Sequence, residues 1–96
     1  MAETGTITVR IPTALRAQAG NHDALTLTGA TVGEVLGSLT AQYPELGKRL
    51  FKVPGAEINR FINIYVNDED IRFMENLRTA VKAGDELAII PAIAGG

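Results

Sequence analysis

Ile7-Thr8-Val9-Arg10-Ile11 alternates apolar and polar residues, the period-two pattern of a half-buried strand, and Pro12 ends its pairing. After the turn signal Gly20-Asn21, Leu25-Thr26-Leu27-Thr28 repeats the alternation. The two segments predict an antiparallel hairpin with a generous loop. The period then changes. Val32, Val35, Leu36, Leu39 and Tyr43 recur at helical spacing and form one apolar stripe for a sheet to cover. Thr31-Val32-Gly33-Glu34 has the form of a capping box, with Thr31 accepting from the Glu34 N–H and the Glu34 carboxylate reaching back to the Thr31 N–H. Pro44 disfavours a helical backbone at Tyr43, so the helix should stop there.

Beyond it, Leu46 to Phe51 predicts a short helical turn and Pro54-Gly55 a loop. Phe61-Ile62-Asn63-Ile64-Tyr65-Val66 is dense in β-branched and aromatic residues, the strongest strand signal of the chain. Asn67-Asp68-Glu69-Asp70 reads as a polar turn and Ile71-Arg72-Phe73 as a further short strand. Leu77 and Val81 flank a helical or 3₁₀ turn, and Ala83-Gly84-Asp85 redirects the chain into Glu86-Leu87-Ala88-Ile89-Ile90. The order predicts an α+β domain: a mixed sheet with one main helix packed across it. Residues 1–96 read as a single domain, with 92–96 as an exposed, flexible C-terminal tail.

Composition narrows what such a domain does. The 9 basic and 11 acidic side chains leave a net charge of −2, without the basic stripe that attracts nucleic acid. Cysteine is absent and His22 is the single histidine, which removes disulfides, thiolate metal sites and cysteine nucleophiles and leaves no His-His metal pair. Met1 to Thr6 is small and polar, and no apolar run approaches the roughly 18–20 residues that cross a bilayer. The expectation is a cytoplasmic chain that is not an enzyme, binds no cofactor or metal, meets neither membrane nor nucleic acid, and is monomeric when free.

The end of the chain offers a different chemistry. After Pro91 it runs Ala92-Ile93-Ala94-Gly95-Gly96, a reach of about 17 Å if extended. Glycine lacks Cβ, so Gly95-Gly96 can follow a narrow path and leave the terminal carboxylate sterically open. A carboxylate is a poor electrophile until adenylated. As an acyl-adenylate, the Gly96 carbonyl can be attacked by sulfur to give a thiocarboxylate, or by an amine to give an amide. Neither step needs a side chain of this protein.

The whole chain resembles the ubiquitin-like (β-grasp) sulfur carriers of thiamin, molybdopterin and cysteine synthesis. The residues that carry the resemblance are Val9 to Arg16, Arg60 to Phe73 and Ile89 to Gly96. Within that family they look most like the carrier of O-phosphoserine-dependent cysteine synthesis. The resemblance implies a cycle. An ATP-dependent E1-like enzyme adenylates Gly96, and a sulfur donor converts it to a thiocarboxylate. The sulfur then attacks aminoacrylate presented by a pyridoxal-phosphate cysteine synthase. After an S-to-N acyl shift, a metal-dependent peptidase releases cysteine and restores Gly96. ATP and pyridoxal phosphate belong to those partners.

Two other function classes stay open from the residues: a ubiquitin-like modifier joined to lysines through Gly96, and a β-grasp interaction domain with an incidental diglycine. Within the carrier reading, molybdopterin or thiamin synthesis is the alternative pathway. Gly96 is the expected site of adenylation and sulfur loading, and Gly95, Ala94, Ile93 and Ala92 would thread the partner channel. Arg60, Arg72, Arg78 and Lys82 are candidates for a basic docking rim near the tail. Asp68-Glu69-Asp70 reads as a solvated turn in preference to a metal loop, and His22 has no nucleophile beside it in sequence.

Overall fold

The computed structural model describes residues 6–53 and 57–91; the five positions 92–96 assigned to the tail lie outside the described residues. Two strands, β1 (Thr6–Arg10) and β2 (Ala24–Thr28), form the expected antiparallel hairpin, with Val9 opposite Leu25 and Ile7 opposite Leu27. The loop between them is not plain coil. Thr13–Ala19 winds into a 3₁₀ helix that buries Leu15 and Ala19 and ends at Gly20, whose φ of 65° suits a residue without Cβ.

Helix α1 (Val32–Gln42) buries Val32, Val35, Leu36 and Leu39, the stripe read from the sequence, and stops before Tyr43. Only half of the capping box has the expected form. The Glu34 N–H donates to Thr31 Oγ1 at 3.2 Å, but Glu34 Oε1 accepts from the Ala30 N–H at 2.8 Å. Thr31 bridges to Ala80 instead, which turns its backbone toward another segment. Pro44 opens a second helix, α2 (Pro44–Leu50), where its missing N–H costs nothing. The short strands β3 (Phe51–Val53) and β4 (Glu57–Ile58) pair as a separate two-stranded sheet.

The main sheet is completed by β5 (Ile62–Val66), β6 (Glu69–Asp70) and β7 (Glu86–Pro91), in the order β2-β1-β7-β5-β6. β7 runs parallel to β1 and antiparallel to β5, so the sheet is mixed as expected. Inward residues Ile7, Val9, Leu27, Ile62, Ile64, Val66, Leu87 and Ile89 meet the buried side of α1 in one core. The other face carries Tyr65, Ala88, Ile90 and the Arg10–Glu86 ion pair. No helix among the described residues is long and apolar enough to cross a membrane.

The sequence reading errs most after β5. The polar turn is only Asn67-Asp68, both left-handed at φ 49° and 72°, so Val66 and Glu69 face each other and β6 begins two residues earlier than expected. Ile71–Phe73 is a 3₁₀ turn in place of a strand. The Asp70 carboxylate ends the ladder by accepting the Arg72 N–H at 2.8 Å, a local bond that competes with strand pairing. A further 3₁₀ turn, Asn76–Arg78, begins before Leu77 and overlaps only the start of the stretch from Leu77 to Val81 where a turn was expected.

Candidate functional site

β7 is the base from which residues 92–96 depart. It is paired to β1 at Glu86, Leu87 and Ala88 and to β5 from Leu87 to Pro91, so its last three residues are held by β5 alone, with Pro91 opposite Ile62. The ladder therefore extends one residue further than an ending at Ile90 would give. Pro91 is tolerated there because β1 pairs only as far as Ala88, so this end of β7 is an edge on that side. Beside this end, the Arg60 guanidinium sits over the Phe61 ring at 5.0 Å from its centroid, an attraction between cation and ring face. Asn59 sets the turn, its Oδ1 accepting from the Phe61 N–H at 3.0 Å.

A groove of about 320 Å³ opens next to this turn, between residues 57–60, the start of β5 and the segment from Asp70 to Leu77. Ile58, Ile62 and Leu77 give it apolar walls, while Arg60 and Arg72 both line it. Neither the groove nor the clamp inside it was legible in advance. Asp70, expected in a solvated turn, is only 6% exposed. Arg72 holds it through Nη2 to Oδ2 at 2.8 Å and Nε to both oxygens at 3.2 Å. The Asp-x-Arg spacing was the only sequence signal. Arg72 thus serves Asp70 first and presents its remaining face to solvent.

The other two basic candidates, Arg78 and Lys82, do not line this groove. Arg78 is exposed at the end of its 3₁₀ turn. Lys82 precedes β7 at the strand's far end and pairs with Asp85 at 3.6 Å, so the length of β7 separates it from Pro91. Phe73, on the turn beside Arg72, is 83% exposed, an apolar surface that the basic-rim reading overlooked. Ala92, Ile93, Ala94, Gly95 and Gly96 lie outside the described residues.

Two carboxylates, Asp70 in the groove and Asp85 at the far end of β7, are held in their charged form. The Arg72 hydrogen bonds outweigh burial and keep the Asp70 carboxyl below the usual range. Burial pushes the Asp85 carboxyl up, but the Asn67 amide and the Lys82 backbone N–H and charge together bring it below. Unfolded, each returns to about 3.9. Depressed groups contribute stability that is complete above the unfolded value and lost as pH falls through the folded one. The melting temperature is therefore expected to hold above about pH 5 and to drop below about pH 4. Calorimetry across that range checks it; an acid limb unchanged by Asp70→Asn and Asp85→Asn together would assign it to other groups.

With this geometry in hand, comparison with known proteins is decisive. The ThiS family model matches residues 9–96. The chain belongs to the ThiS family. It is 46% identical over 92 residues to the Mycobacterium tuberculosis sulfur carrier protein CysO, covering 94% of this chain and 98% of that protein. A chain of the Amycolatopsis orientalis BexX/CysO complex superposes with a TM-score of 0.86 at 44% identity, over 94% of this chain and 99% of that one. The small archaeal modifier protein 1 of Methanosarcina acetivorans gives 0.86 at 34% identity, over 99% and 100%. This ThiS-family chain has the β-grasp, ubiquitin-like fold that the sequence resemblance implied.

Proposed function

We propose that this chain is a sulfur carrier that holds sulfur as a thiocarboxylate on Gly96 and donates it to cysteine biosynthesis. The observation that carries the reading is the 46% identity to a sulfur carrier protein CysO over nearly the full length of both chains. The described structure supports it. β7, held by β5 as far as Pro91, is a base for the last five residues, 92–96. The absence of cysteine leaves no internal thiol to capture an activated carbonyl.

The cycle starts when the Gly96 carboxylate attacks the α-phosphate of ATP on an E1-like enzyme, releasing pyrophosphate. A sulfur donor then displaces AMP and leaves sulfur in place of one carboxylate oxygen. On a pyridoxal-phosphate-dependent synthase, the sulfur would add to the β-carbon of aminoacrylate, whose C=C π bond breaks as the α-carbon takes a proton, with insertion of the tail supplying a high effective concentration. The acyl group would then move from sulfur to the amine of that cysteinyl unit, and a metal-dependent peptidase would hydrolyse the resulting amide, restoring Gly96 and freeing cysteine. The cytoplasm, where ATP is made, is the proposed setting. Arg60 with Phe61 and the groove beside them offer a docking rim at the base of the tail.

Intact mass spectrometry without reductive work-up tests the reading. Incubation with the E1-like enzyme, ATP and a sulfur donor is expected to add about 16 Da at Gly96, oxygen exchanged for sulfur. A carboxylate that persists unchanged under those conditions overturns it. Cysteine formed with an O-phosphoserine-dependent synthase supports the pathway, whereas a dithiolene product assigns the chain to molybdopterin synthesis. The likeness to a small archaeal modifier favours conjugation as the second reading, whose mark is an isopeptide-linked Gly-Gly remnant on other proteins.

A further inference from the structure

We infer that the free edge of β2 is a self-association surface, on which a second copy of this chain pairs antiparallel, strand to strand. β2 ends the main sheet, and the register fixes which of its backbone groups face outward. The Ile11 N–H donates to the Asp23 carbonyl at 2.8 Å, in line with the β1–β2 register. Bonded pairs alternate in an antiparallel ladder, so Val9 with Leu25 and Ile7 with Leu27 exchange hydrogen bonds. Arg10 with Ala24, Thr8 with Thr26 and Thr6 with Thr28 do not. The far side of β1 agrees, because the Thr8 N–H is turned toward β7 and donates to Asp85 O at 3.2 Å. The N–H and C=O of Ala24, Thr26 and Thr28 therefore point away from β1, and among the described residues no hydrogen bond to them is formed.

Edges of this kind are normally blunted by charge, proline or a bulge. Ala24-Leu25-Thr26-Leu27-Thr28 has neither charge nor proline, and its pairing with β1 runs without a register shift. A second copy fits this surface. On a two-fold axis at Thr26, Thr26 faces Thr26 and Ala24 faces Thr28, so every outward N–H meets an outward C=O. A charge at Thr26 would face itself and repel; the exposed threonines there pair favourably instead. Beyond the strand, Asp23 would face Gly29 and not another acid. A partner of different sequence finds no charged side chain on β2 to select it. The result is one continuous sheet across two copies, in place of the monomer expected from sequence.

Sedimentation velocity of the full chain over a concentration series, with amide hydrogen exchange, tests this. A concentration-dependent dimer is expected, with slowed exchange at Ala24, Thr26 and Thr28 as it forms, while Leu25 and Leu27 stay protected throughout. Thr26→Pro removes an outward N–H without touching the β1 ladder and is expected to raise the dissociation constant at least about tenfold. Thr26→Lys keeps every backbone group and sets two ammonium groups face to face; it is expected to act in the same direction and decides the matter if the proline variant fails to fold. A chain that stays monomeric up to about 1 mM overturns the inference. So does a dimer undiminished in folded Thr26→Lys, or protection at these amides only when a different protein is added.

Discussion

A chain lengthened by one alanine after Gly96 is expected to take up no sulfur, while its melting temperature stays unchanged. The reacting carbon in the proposed cycle is the terminal carbonyl. One more residue shifts the carboxylate by up to about 3.6 Å, where a misplacement of about 1 Å already costs on the order of 10²-fold. It also puts a Cβ on the terminal residue, next to the group that must be attacked. Stability should not respond, because the described ladder ends at Pro91 opposite Ile62. The intact mass after incubation with adenylating enzyme, ATP and sulfur donor reads the first part, and calorimetry the second. Loading equal to that of the unmodified chain would move the site away from Gly96.

The largest effect on stability is expected from Leu36→Ala. Leu36 is fully buried on α1 among the core residues of the sheet, so the change removes apolar burial and leaves a cavity. The cost is about 2–5 kcal/mol, against roughly 5–14 kcal/mol for a domain of this length. The melting temperature should fall by about 10–30 °C. Urea unfolding with an unchanged slope and a lower midpoint is the expected signature. A loss below about 1 kcal/mol would mean that α1 does not lie on the core.

Legibility followed the strength of the hydrophobic period. Where alternation decided burial, as in β1, β5 and β7, the sequence reading was right to within a residue or two, and the α1 stripe and its stop at Pro44 were also right. It failed where one polar side chain or one backbone angle decided. Asn67 and Asp68 both turn left-handed, which shortens the turn and advances β6. Asp70 then caps the following 3₁₀ turn in place of joining a solvated loop. Apolar character at Ile71 and Phe73 suggested a strand, yet Phe73 projects into solvent.

At the candidate site the limit was spatial. Sequence names Arg60, Arg72, Arg78 and Lys82 as exposed cations but not which end of β7 each one occupies. Arg60 and Arg72 share a groove, whereas Lys82 lies at the other end of the strand. The chemistry proposed at Gly95-Gly96 comes from the sequence, and both residues lie outside the described structure; what the topology adds is the base before them, β7, held by β5 as far as Pro91.

That topology also bears on synthesis. β7 is the last of the described strands and the middle strand of the main sheet, between β1 and β5. Neither neighbour can complete its hydrogen bonds until Glu86 to Pro91 has left the ribosome, so the pairing of highest sequence separation comes last. A chain cut short before β7 would expose the inner faces of β1 and β5 and be open to aggregation and proteolysis. Folding therefore acts as a proofreading step: a copy that reaches the native state has been translated through Pro91, and in the proposed cycle shorter copies would be removed before they could occupy an activating enzyme.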